Sequence, residues 1–555
     1  MNRKTPVIII LLLIVIVAVI GGATFFIEKK APSKERMDGS VYYNITDGSQ
    51  VALMADGTLS ETFGKKAEDR YYIDYDSVSS LINKKFYWDK NENKILYALP
   101  TEVVEISINT DSESGDCFLS GGQLYLSAEL LAQYTDMTYE IYESPNRMVI
   151  RSGGETADMA EVLKDTAVRY RGGIKSDILT DAAAGSQVEV LDDSFENWVQ
   201  VATADGYVGY IEKESIGETY ALTNPQTGVE AEYTSISRDH KINMVWHQTT
   251  SQMANDAVES LLTNVTGVNV IAPTWFIIND TAGNLLDISS STYVAMAHER
   301  GMEVWAVLND FDGGIRSSEE TLVVLSNTQT RRTIISNIMT SVMICGIDGI
   351  NVDIEKVSEE CAPHYLQFLR ELSVSCRNNG IVLSVDNYVP KTYSAHYDRK
   401  EQGIVADYVV IMGYDEHFSG SDTAGSVASL PFVEDGIKRT LEEVPAEKII
   451  NGIPFFTRIW NTDSNGSVTS EACGMSAADE FIASRGMEVV WNAECGQNYA
   501  ELDSDTGFYQ IWLEDEQSVA EKMKLIQSYD LAGVAAWKLG FEHAGIWSVI
   551  SQYLQ

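Results

Sequence analysis

The chain is poor in cysteine, histidine and basic residues, and each scarcity excludes a class of protein. Its 555 residues include 6 cysteines and 7 histidines, and neither type recurs at the spacing of a zinc site. Lysine and arginine number 40 against 81 aspartate and glutamate residues, which gives a net charge of −41. A chain this acidic is repelled by phosphate backbones, so nucleic acid is not an expected partner. No phosphate-binding glycine loop and no Gly-x-Ser-x-Gly turn occurs either, and the sequence predicts neither a metal nor a cofactor.

The few cysteines are too sparse for a disulfide framework in a chain of this length. Cys473 and Cys495 could pair within one loop region, whereas Cys345, Cys361 and Cys376 are predicted to be buried thiols. A content of 45% hydrophobic and 10% aromatic residues indicates a globular protein of several domains. The oligomeric state stays open.

The longest apolar run lies near the start of the chain. Residues 7–27 are almost wholly apolar, enough to cross a bilayer core of about 30 Å as a helix. A cleaved signal peptide is the alternative, but the run is longer than the roughly 7 to 15 residues of a signal h-region. The sequence therefore predicts a cytoplasmic tail over 1–6, a transmembrane anchor over 7–27 and a spacer over 28–39. The predicted location is the cell membrane, with a single pass and the large C-terminal part extracellular.

Residues 40–152 contain an internal repeat. Positions from Ile73 to Ile95 recur 53 residues later, from Leu126 to Met148. The repeated unit is predicted to be a short strand, one or two helical turns and a hairpin that turns at Asn93 or Asn146. This outline resembles the copper amine oxidase N-terminal-like domain, a small α+β module, and the resemblance implies no copper site. A spacer or a wall-contacting role is expected.

Short alternating runs in residues 163–216 predict a small β-barrel, as in Trp198-Val199-Gln200-Val201. The segment is similar to a bacterial Src-homology-3-like (SH3-like) domain, which implies binding to peptidoglycan or its peptides. Trp198 and Tyr210 are the candidate contacts, and core packing is an equally good interpretation of both. A polar linker over 217–232 follows.

From residue 233 to residue 555, strand-like apolar runs alternate with amphipathic helical stretches. This alternation predicts an α/β fold, a (β/α)8 TIM barrel, because doubly wound sheets rarely have eight strands. An insertion over residues 460–512 precedes the last strand. The predicted strands are 242–246, 268–271, 303–308, 349–355, 381–385, 408–414, 449–455 and 533–537.

The fourth predicted strand carries the most informative pattern of the chain. Its residues Asp348 to Glu355 read Asp-Gly-Ile-Asn-Val-Asp-Ile-Glu. Side chains two apart share a face of a strand, so Asn351, Asp353 and Glu355 are expected to project together. In a barrel this row ends at the carboxyl end of the strand, where the active site lies.

Four motifs at strand ends resemble those of glycoside hydrolase family 18. The octapeptide is similar to the Asp-x-x-Asp-x-Asp-x-Glu signature of that family, with Asn351 in place of the second aspartate. Met412-Gly413-Tyr414-Asp415 is similar to the family's Met-x-Tyr-Asp motif, Gly452-Ile453-Pro454-Phe455 to its strand-seven motif and Trp537 to its aromatic floor. The resemblance covers the whole C-terminal domain.

The resemblance implies cleavage of β-1,4 bonds beside N-acetylglucosamine, with retention and with the substrate's acetamido group as nucleophile. By this resemblance Glu355 is the acid/base and Asp353 orients the acetamido group. Tyr414 would donate a hydrogen bond to the acetamido oxygen, Asp415 would contact the sugar, and Trp537 would lie beneath it. Core packing is the alternative for Tyr414 and Trp537.

The remaining substrate-binding candidates are Asn351, Asp348, Met412 and Asn387. Asn351 cannot take a proton as an aspartate would, but its NH2 could hold Asp353 in one orientation and lower the pKa of that carboxyl. The Asn form of the signature is one associated with spore-cortex N-acetylglucosaminidases. Strand three fits this subgroup, since it reads Val307-Leu308-Asn309-Asp310-Phe311 where chitinases carry Ser-x-Gly-Gly.

The leading hypothesis is a membrane-anchored extracellular glycosidase that cuts peptidoglycan at N-acetylglucosamine. A non-catalytic, lectin-like wall protein is one alternative, and retention of Glu355 argues against it. A chitinase is the other, and the strand-three sequence argues against that. The natural glycan and the choice between endo and exo action stay open.

Overall fold

The computed structural model describes residues 12–17 and 31–554. The chain forms two compact units, and the boundary lies between Ala231 and Glu232. Two short earlier segments, Asp89–Glu92 and Leu96–Glu105, belong to the second unit.

The predicted membrane anchor receives no support from the structure. No helix within residues 12–17 and 31–554 is long and apolar enough to cross a membrane. A spanning helix needs about 20 residues, and the described part of the predicted anchor is a helix of residues 12–17 alone. The rest of the predicted segment 7–27 lies outside the described residues, as do the tail 1–6 and residues 28–30 of the spacer. The predicted single-pass membrane location is wrong by this finding.

The first unit begins with a mixed sheet of seven strands. The two copies of the repeat meet in it, because Ile73 lies opposite its counterpart Leu126 in an antiparallel pair. The resemblance to the copper amine oxidase N-terminal-like domain stays a prediction. In spatial order the strands are Cys117–Ser120, Gln123–Ser127, Arg70–Asp74, Thr58–Ala67, Gln50–Ala55, Arg147–Ser152 and Met137–Tyr142. The short helices are Gly39–Tyr42, Tyr75–Ser77, Val78–Ile82 and Ala128–Tyr134, and a three-stranded sheet comprises Tyr87–Asp89, Lys94–Ala98 and Val103–Ser107.

A second seven-stranded sheet forms the predicted small β-domain. Its core contains buried valines such as Val168 and Val199. The sheet extends beyond residues 163–216, because Thr156–Glu161 pairs antiparallel with Tyr220–Thr223. The linker predicted over 217–232 therefore contains the strand Tyr220–Thr223. The order is Ile178–Ala182, Thr166–Arg169, Val208–Glu212, Trp198–Thr203, Gln187–Asp192, Thr156–Glu161 and Tyr220–Thr223, with a helical turn at Lys213–Ser215.

The second unit is the predicted barrel, with all eight parallel strands present. Pairing of Val270 with Glu303 joins the second strand to the third and closes the ring. The strands are β1 Ile242–His247, β2 Val270–Pro273, β3 Glu303–Asn309, β4 Gly349–Asp353, β5 Val382–Tyr388, β6 Tyr408–Met412, β7 Ile449–Pro454 and β8 Gly533–Trp537. A hairpin of Phe276–Ile278 and Leu285–Asp287 extends the sheet beside β3.

Helices surround the barrel, and their apolar faces cover the outward side chains of the strands. The interior is a second cluster in which Trp305 stacks on Tyr408 with ring centroids 5.4 Å apart. The interior is therefore filled by side chains, which leaves the strand ends as the place for a site. The helices are Gln252–Leu261, Ser291–Glu299, Ser318–Leu325, Thr328–Cys345, Ala362–Asn379, Arg399–Val405, Leu430–Leu441, Glu516–Ser528 and Ile546–Tyr553, with shorter turns at Leu262–Asn264, Thr392–Tyr397 and Ala446–Lys448.

The predicted insertion between β7 and β8 is an antiparallel sheet of five strands with one helix. Cys473 lies on the strand at one edge of this sheet, whereas Cys495 lies in the turn that follows the strand at the other edge. The pairing considered for these two cysteines is therefore absent, and both are free thiols. Cys361 and Cys376 are buried as predicted, while Cys345 is only half-buried. The strands are Phe456–Thr462, Val468–Gly474, Val489–Asn492, Gln497–Ser504 and Gly507–Leu513, and the helix is Met475–Arg485.

Candidate active site

The approach to β4 explains why the signature reaches the carboxyl end of the barrel. The preceding helix ends at Gly346, whose φ of 76° requires a residue that tolerates the left-handed conformation. From there the chain turns into β4, where Val352 joins the outer core. Asn351 and Asp353 alternate with it and point into the barrel, 0% and 6% exposed. Glu355 follows two residues after the strand and is half-buried.

Three neighbours hold Glu355 in place. Its backbone N–H donates to Asp310 Oδ1 at 3.0 Å, and its carbonyl oxygen accepts from the Tyr397 hydroxyl at 2.8 Å. The Tyr388 hydroxyl donates to its carboxylate. Burial raises the pKa of Glu355, and the hydrogen bond from Tyr388 opposes that rise. A carboxylic acid with a raised pKa is suited to donate a proton near neutral pH.

Asp353 is a buried carboxylate at the end of β4. Burial raises its pKa well above the usual range, and the charge of Asp386 adds to the rise. Its Oδ1 is buried and has no hydrogen-bond partner within the described residues. An unsatisfied buried oxygen is costly, so this atom requires a proton or a hydrogen-bond donor.

Asn351 does not hold Asp353, contrary to the expectation from sequence. Its Oδ1 accepts from the Trp246 indole N–H at 3.0 Å, which fixes the orientation of the amide. Its Nδ2 then donates to Ser384 Oγ at 2.9 Å and to Asp386 Oδ1 at 2.7 Å. Asn351 therefore bridges β1, β4 and β5 below the site.

The motifs after β6 and on β8 complete the rim. Tyr414 is half-buried, and burial raises its pKa well above that of free tyrosine. Asp415 is exposed with a φ of 60°, and Met412 is 9% exposed at the end of β6. The Trp537 ring lies 6.0 Å from that of Trp246, centroid to centroid. A polar pocket with an aromatic wall results.

Two predicted substrate-binding residues do not join this pocket. Asp348 lies at the amino end of β4, where its Oδ2 accepts from His298 Nε2 and from the Val304 N–H, both at 2.8 Å. Asn387 is 1% exposed, and its amide donates to Gln402 Oε1 at 2.6 Å. Its neighbour Asp386 faces the interior, so Asn387 points to the helical side. Both residues have structural roles here.

Sequence reasoning missed Asp386, which lies 3% exposed inside the barrel. The signal was present: Val382, Ser384 and Asp386 alternate along one face of β5. It also missed Asp310, whose Oδ2 accepts from the Lys356 N–H at 3.0 Å and from Thr321 Oγ1 at 3.1 Å. Asp310 thereby fixes the loop that carries the acid.

A groove of about 890 Å³ is lined mostly by the SH3-like domain, with Tyr42 and residues 57–59 of the preceding domain at one side. Trp198 and Tyr210 are both half-buried in it rather than part of the core. Phe195 stacks edge-on against Tyr210, with centroids 5.6 Å apart. The groove offers an aromatic surface for a small ligand.

Residues 306–542 match the family "Glycosyl hydrolases family 18", and residues 169–216 match the "Bacterial dipeptidyl-peptidase Sh3 domain". The chain is 27% identical over 301 residues to the "Uncharacterized glycosylase YvbX" of Bacillus subtilis, over 51% of this chain and 84% of that one. It is 25% identical over 255 residues to the "Cortical fragment-lytic enzyme" of the same organism, over 44% of this chain. The match spans only 58% of that relative, less than two thirds of its length.

Among solved structures, the spore cortex-lytic enzyme SleL of Bacillus cereus superposes with a TM-score of 0.52 at 21% identity. The superposition covers 61% of this chain and 79% of that one, and at this identity it shows the shared fold. The strand-end motifs, the closed barrel and the family match agree. The barrel is therefore similar to the glycoside hydrolases of family 18 over residues 306–542, and residues 169–216 are similar to a bacterial SH3-like domain.

Proposed function

We propose that the protein is a glycosidase that hydrolyses β-1,4 bonds at N-acetylglucosamine in peptidoglycan, with retention at the anomeric carbon. The observation that carries this proposal is the pairing of Glu355 with Asp353. The first is a half-buried acid held by Tyr388, and the second is a buried carboxylate with an unpaired oxygen. A protein that only binds glycan has no need of such a buried proton donor.

The first step of the proposed reaction breaks the glycosidic bond. Glu355 donates its proton to the glycosidic oxygen, which leaves with the electron pair of the bond to the anomeric carbon. The acetamido carbonyl oxygen of the same sugar attacks that carbon from the opposite face and forms a positively charged oxazolinium ring. Asp353 lies two residues before Glu355 and stabilises this charge as a carboxylate. Tyr414 donates a hydrogen bond to the acetamido oxygen and orients it.

The second step reverses the roles. Glu355, now a carboxylate, takes a proton from a water molecule, and the resulting hydroxide opens the oxazolinium ring at the anomeric carbon. Two inversions give net retention, and Glu355 ends protonated as it began. Burial raises the pKa of Glu355 and so favours the protonated acid that the first step requires.

Peptidoglycan is the proposed substrate because of the relatives of the barrel, the neighbouring SH3-like domain and the sequence at the end of β3. The curated relatives include a cortical fragment-lytic enzyme, and the chain also carries an SH3-like domain with an aromatic groove. At the end of β3, Asn309 and Asp310 stand where chitinases carry the Ser-x-Gly-Gly motif. These features favour a wall glycan over chitin.

The experiment is digestion of purified peptidoglycan, and of chitin in parallel, by the full chain. Glu355→Gln is compared with Glu359→Gln, which changes an exposed glutamate in the same loop. Mass spectrometry should find reducing-end N-acetylglucosamine from the wild type and Glu359→Gln, but not from Glu355→Gln. Proton NMR of the first product should show the β anomer. Glycan binding by both proteins without any product would overturn the proposal in favour of a lectin-like protein.

A further inference from the structure

The site holds two buried carboxylates side by side, one of them outside the signature. Val352 of β4 lies beside Val385 of β5 in the parallel pairing of these strands. The next residues are Asp353 and Asp386, so their side chains are neighbours on the interior face. Asp353 is 6% and Asp386 3% exposed.

Each carboxylate has one oxygen without a partner in the described part of the chain. These atoms are Oδ1 of Asp353 and Oδ2 of Asp386. The other oxygen of Asp386 is occupied, since it accepts from Asn351 at 2.7 Å. Two adjacent carboxylates removed from water cannot both be ionised, because each charge raises the cost of the other. A single proton between the two unpaired oxygens satisfies both.

Among the described residues, no lysine or arginine donates a hydrogen bond to either carboxylate or lowers its pKa. The nearby ammonium of Lys356 donates to the Asp310 carbonyl at 2.6 Å rather than to either carboxylate. The titratable groups that act on the pair are acids or phenols: Asp310 and Asp312 after β3, Glu355 after β4, Tyr388 of β5, Tyr397 of the turn after β5, Tyr414 after β6, and Tyr365 of the helix Ala362–Asn379. Burial also raises the pKa of Asp386.

We propose that Asp353 and Asp386 share one proton, and that Asp386 holds it whenever Asp353 acts as a carboxylate on the substrate. Asp386 is thus a positioning residue for the hydrolysis proposed above, and this inference rests on that proposed function. At rest the proton lies on Asp353 Oδ1. When the oxazolinium charge develops, the proton moves to Asp386 Oδ2, which leaves Asp353 negative and hydrogen-bonded. The proton returns when the product departs.

The same geometry explains Asn351. An aspartate there would place a third carboxylate 2.7 Å from Asp386 Oδ1, where the amide N–H now donates. The asparagine in the signature and the aspartate on β5 are therefore complementary. The carboxylate missing from position 351 has a substitute on the neighbouring strand.

The test compares two changes at one position in the full chain. Asp386→Ala removes the hydrogen-bond donor to the Asp353 carboxylate, so kcat/KM should fall about 100-fold. Without that donor Asp353 ionises less readily, so the rise of kcat/KM on the acid side of the pH profile should move up by about one pH unit. Asp386→Asn keeps an N–H at the place of Oδ2 and should return the acid limb to its wild-type position. Ser384→Ala removes the other acceptor of Asn351 and should leave the limb unmoved. Equal rate losses at every pH for both Asp386 variants would overturn the inference.

A second readout does not depend on activity. The folded wild type keeps the shared proton at pH values where a free aspartate, with a pKa of about 3.9, has lost its own. Its stability therefore falls as pH rises from about 5 to 8, and Asp386→Asn lacks this loss. The melting temperature of Asp386→Asn should therefore rise relative to that of the wild type as the pH increases from about 5 to 8. If the difference in melting temperature between Asp386→Asn and the wild type stays constant with pH, the shared proton is overturned. If the difference grows with pH but the wild type releases no product, only the proposed hydrolysis is overturned.

Discussion

Polar side chains at the two ends of the barrel are used in opposite ways. At the amino ends, one residue directly precedes each of β2, β4 and β6 and accepts a hydrogen bond from the backbone of the preceding strand. All three bonds are 2.8 Å long: Asn269 accepts from the Asn243 N–H, Asp348 from Val304 and Asp407 from Leu383. These side chains fix the register of neighbouring strands.

At the carboxyl ends, asparagine and aspartate side chains are left with unsatisfied hydrogen-bonding atoms. Asn309 of β3, Asp353 of β4 and Asp386 of β5 each have one buried polar atom without a partner in the described residues. β4 itself carries both kinds of aspartate. Asp348 and Asp353 are separated by about 16 Å at about 3.3 Å per residue. The three satisfied groups at the amino ends hold the scaffold, whereas the three unsatisfied ones lie at the end of the barrel that carries the candidate site.

The largest effect should come from Glu355→Gln, at the carboxyl end. The amide cannot donate the proton, so kcat should fall by about 10³-fold. It can still accept from Tyr388, so the melting temperature should stay at or above that of the wild type. Product release from peptidoglycan measures the loss of kcat, and a thermal melt measures the melting temperature. A variant that keeps a tenth of the activity would remove Glu355 from its role.

Asp353→Asn is expected to cost about 10²-fold in kcat, because the oxazolinium loses its counter-charge. It should also change how stability depends on pH. The folded pKa of Asp353 is raised, so the unfolded chain loses this proton first and the stability of the wild type falls as pH rises above about 4. The variant should therefore gain stability relative to the wild type from pH 5 to pH 8. A constant stability difference over this range would show that Asp353 is already ionised in the folded protein.

The opposite pattern is expected at the amino end. Asp348→Ala leaves the Val304 N–H without its acceptor and should lower the free energy of unfolding by about 1 to 3 kcal/mol. Chemical denaturation measures this loss. The kcat of the folded fraction should stay within about twofold of the wild type, since no substrate contact is removed. A large rise in KM instead would return Asp348 to the substrate-binding residues.

The barrel could be predicted from sequence because the alternation of an apolar strand and an amphipathic helix repeats eight times. All eight predicted strands overlap the observed ones, and the strand-end motifs gave Glu355, Asp353, Tyr414 and Trp537 their places. An apolar run of this length is recognised as a strand even when its predicted ends are wrong by one or two residues. The polar residues at the strand ends cannot be assigned so safely, because an error of one residue moves a side chain to the other face of the strand.

Strand β5 shows the cost of such an error. The sequence predicts that it ends at Val385, whereas it continues to Tyr388. The predicted strand therefore stops one residue short of Asp386, and Asn387 is assigned to the site instead. Asp348 was misplaced for another reason: it belongs to the signature, but the length of the strand puts it at the far end. The contacts of Asn351 with Trp246 and Asp386 join three strands and need the closed barrel to be seen.

The smallest effect is expected from His298→Ala, which separates the two bonds of Asp348. His298 donates to the same oxygen as Val304, but its side chain is 44% exposed. An exposed pair of this kind contributes about 0.2 to 1 kcal/mol, and the backbone bond remains after its removal. Denaturation of both single variants and the double variant gives the coupling directly. A loss as large as that of Asp348→Ala would mean that the ion pair, rather than the backbone bond, holds the amino end of β4.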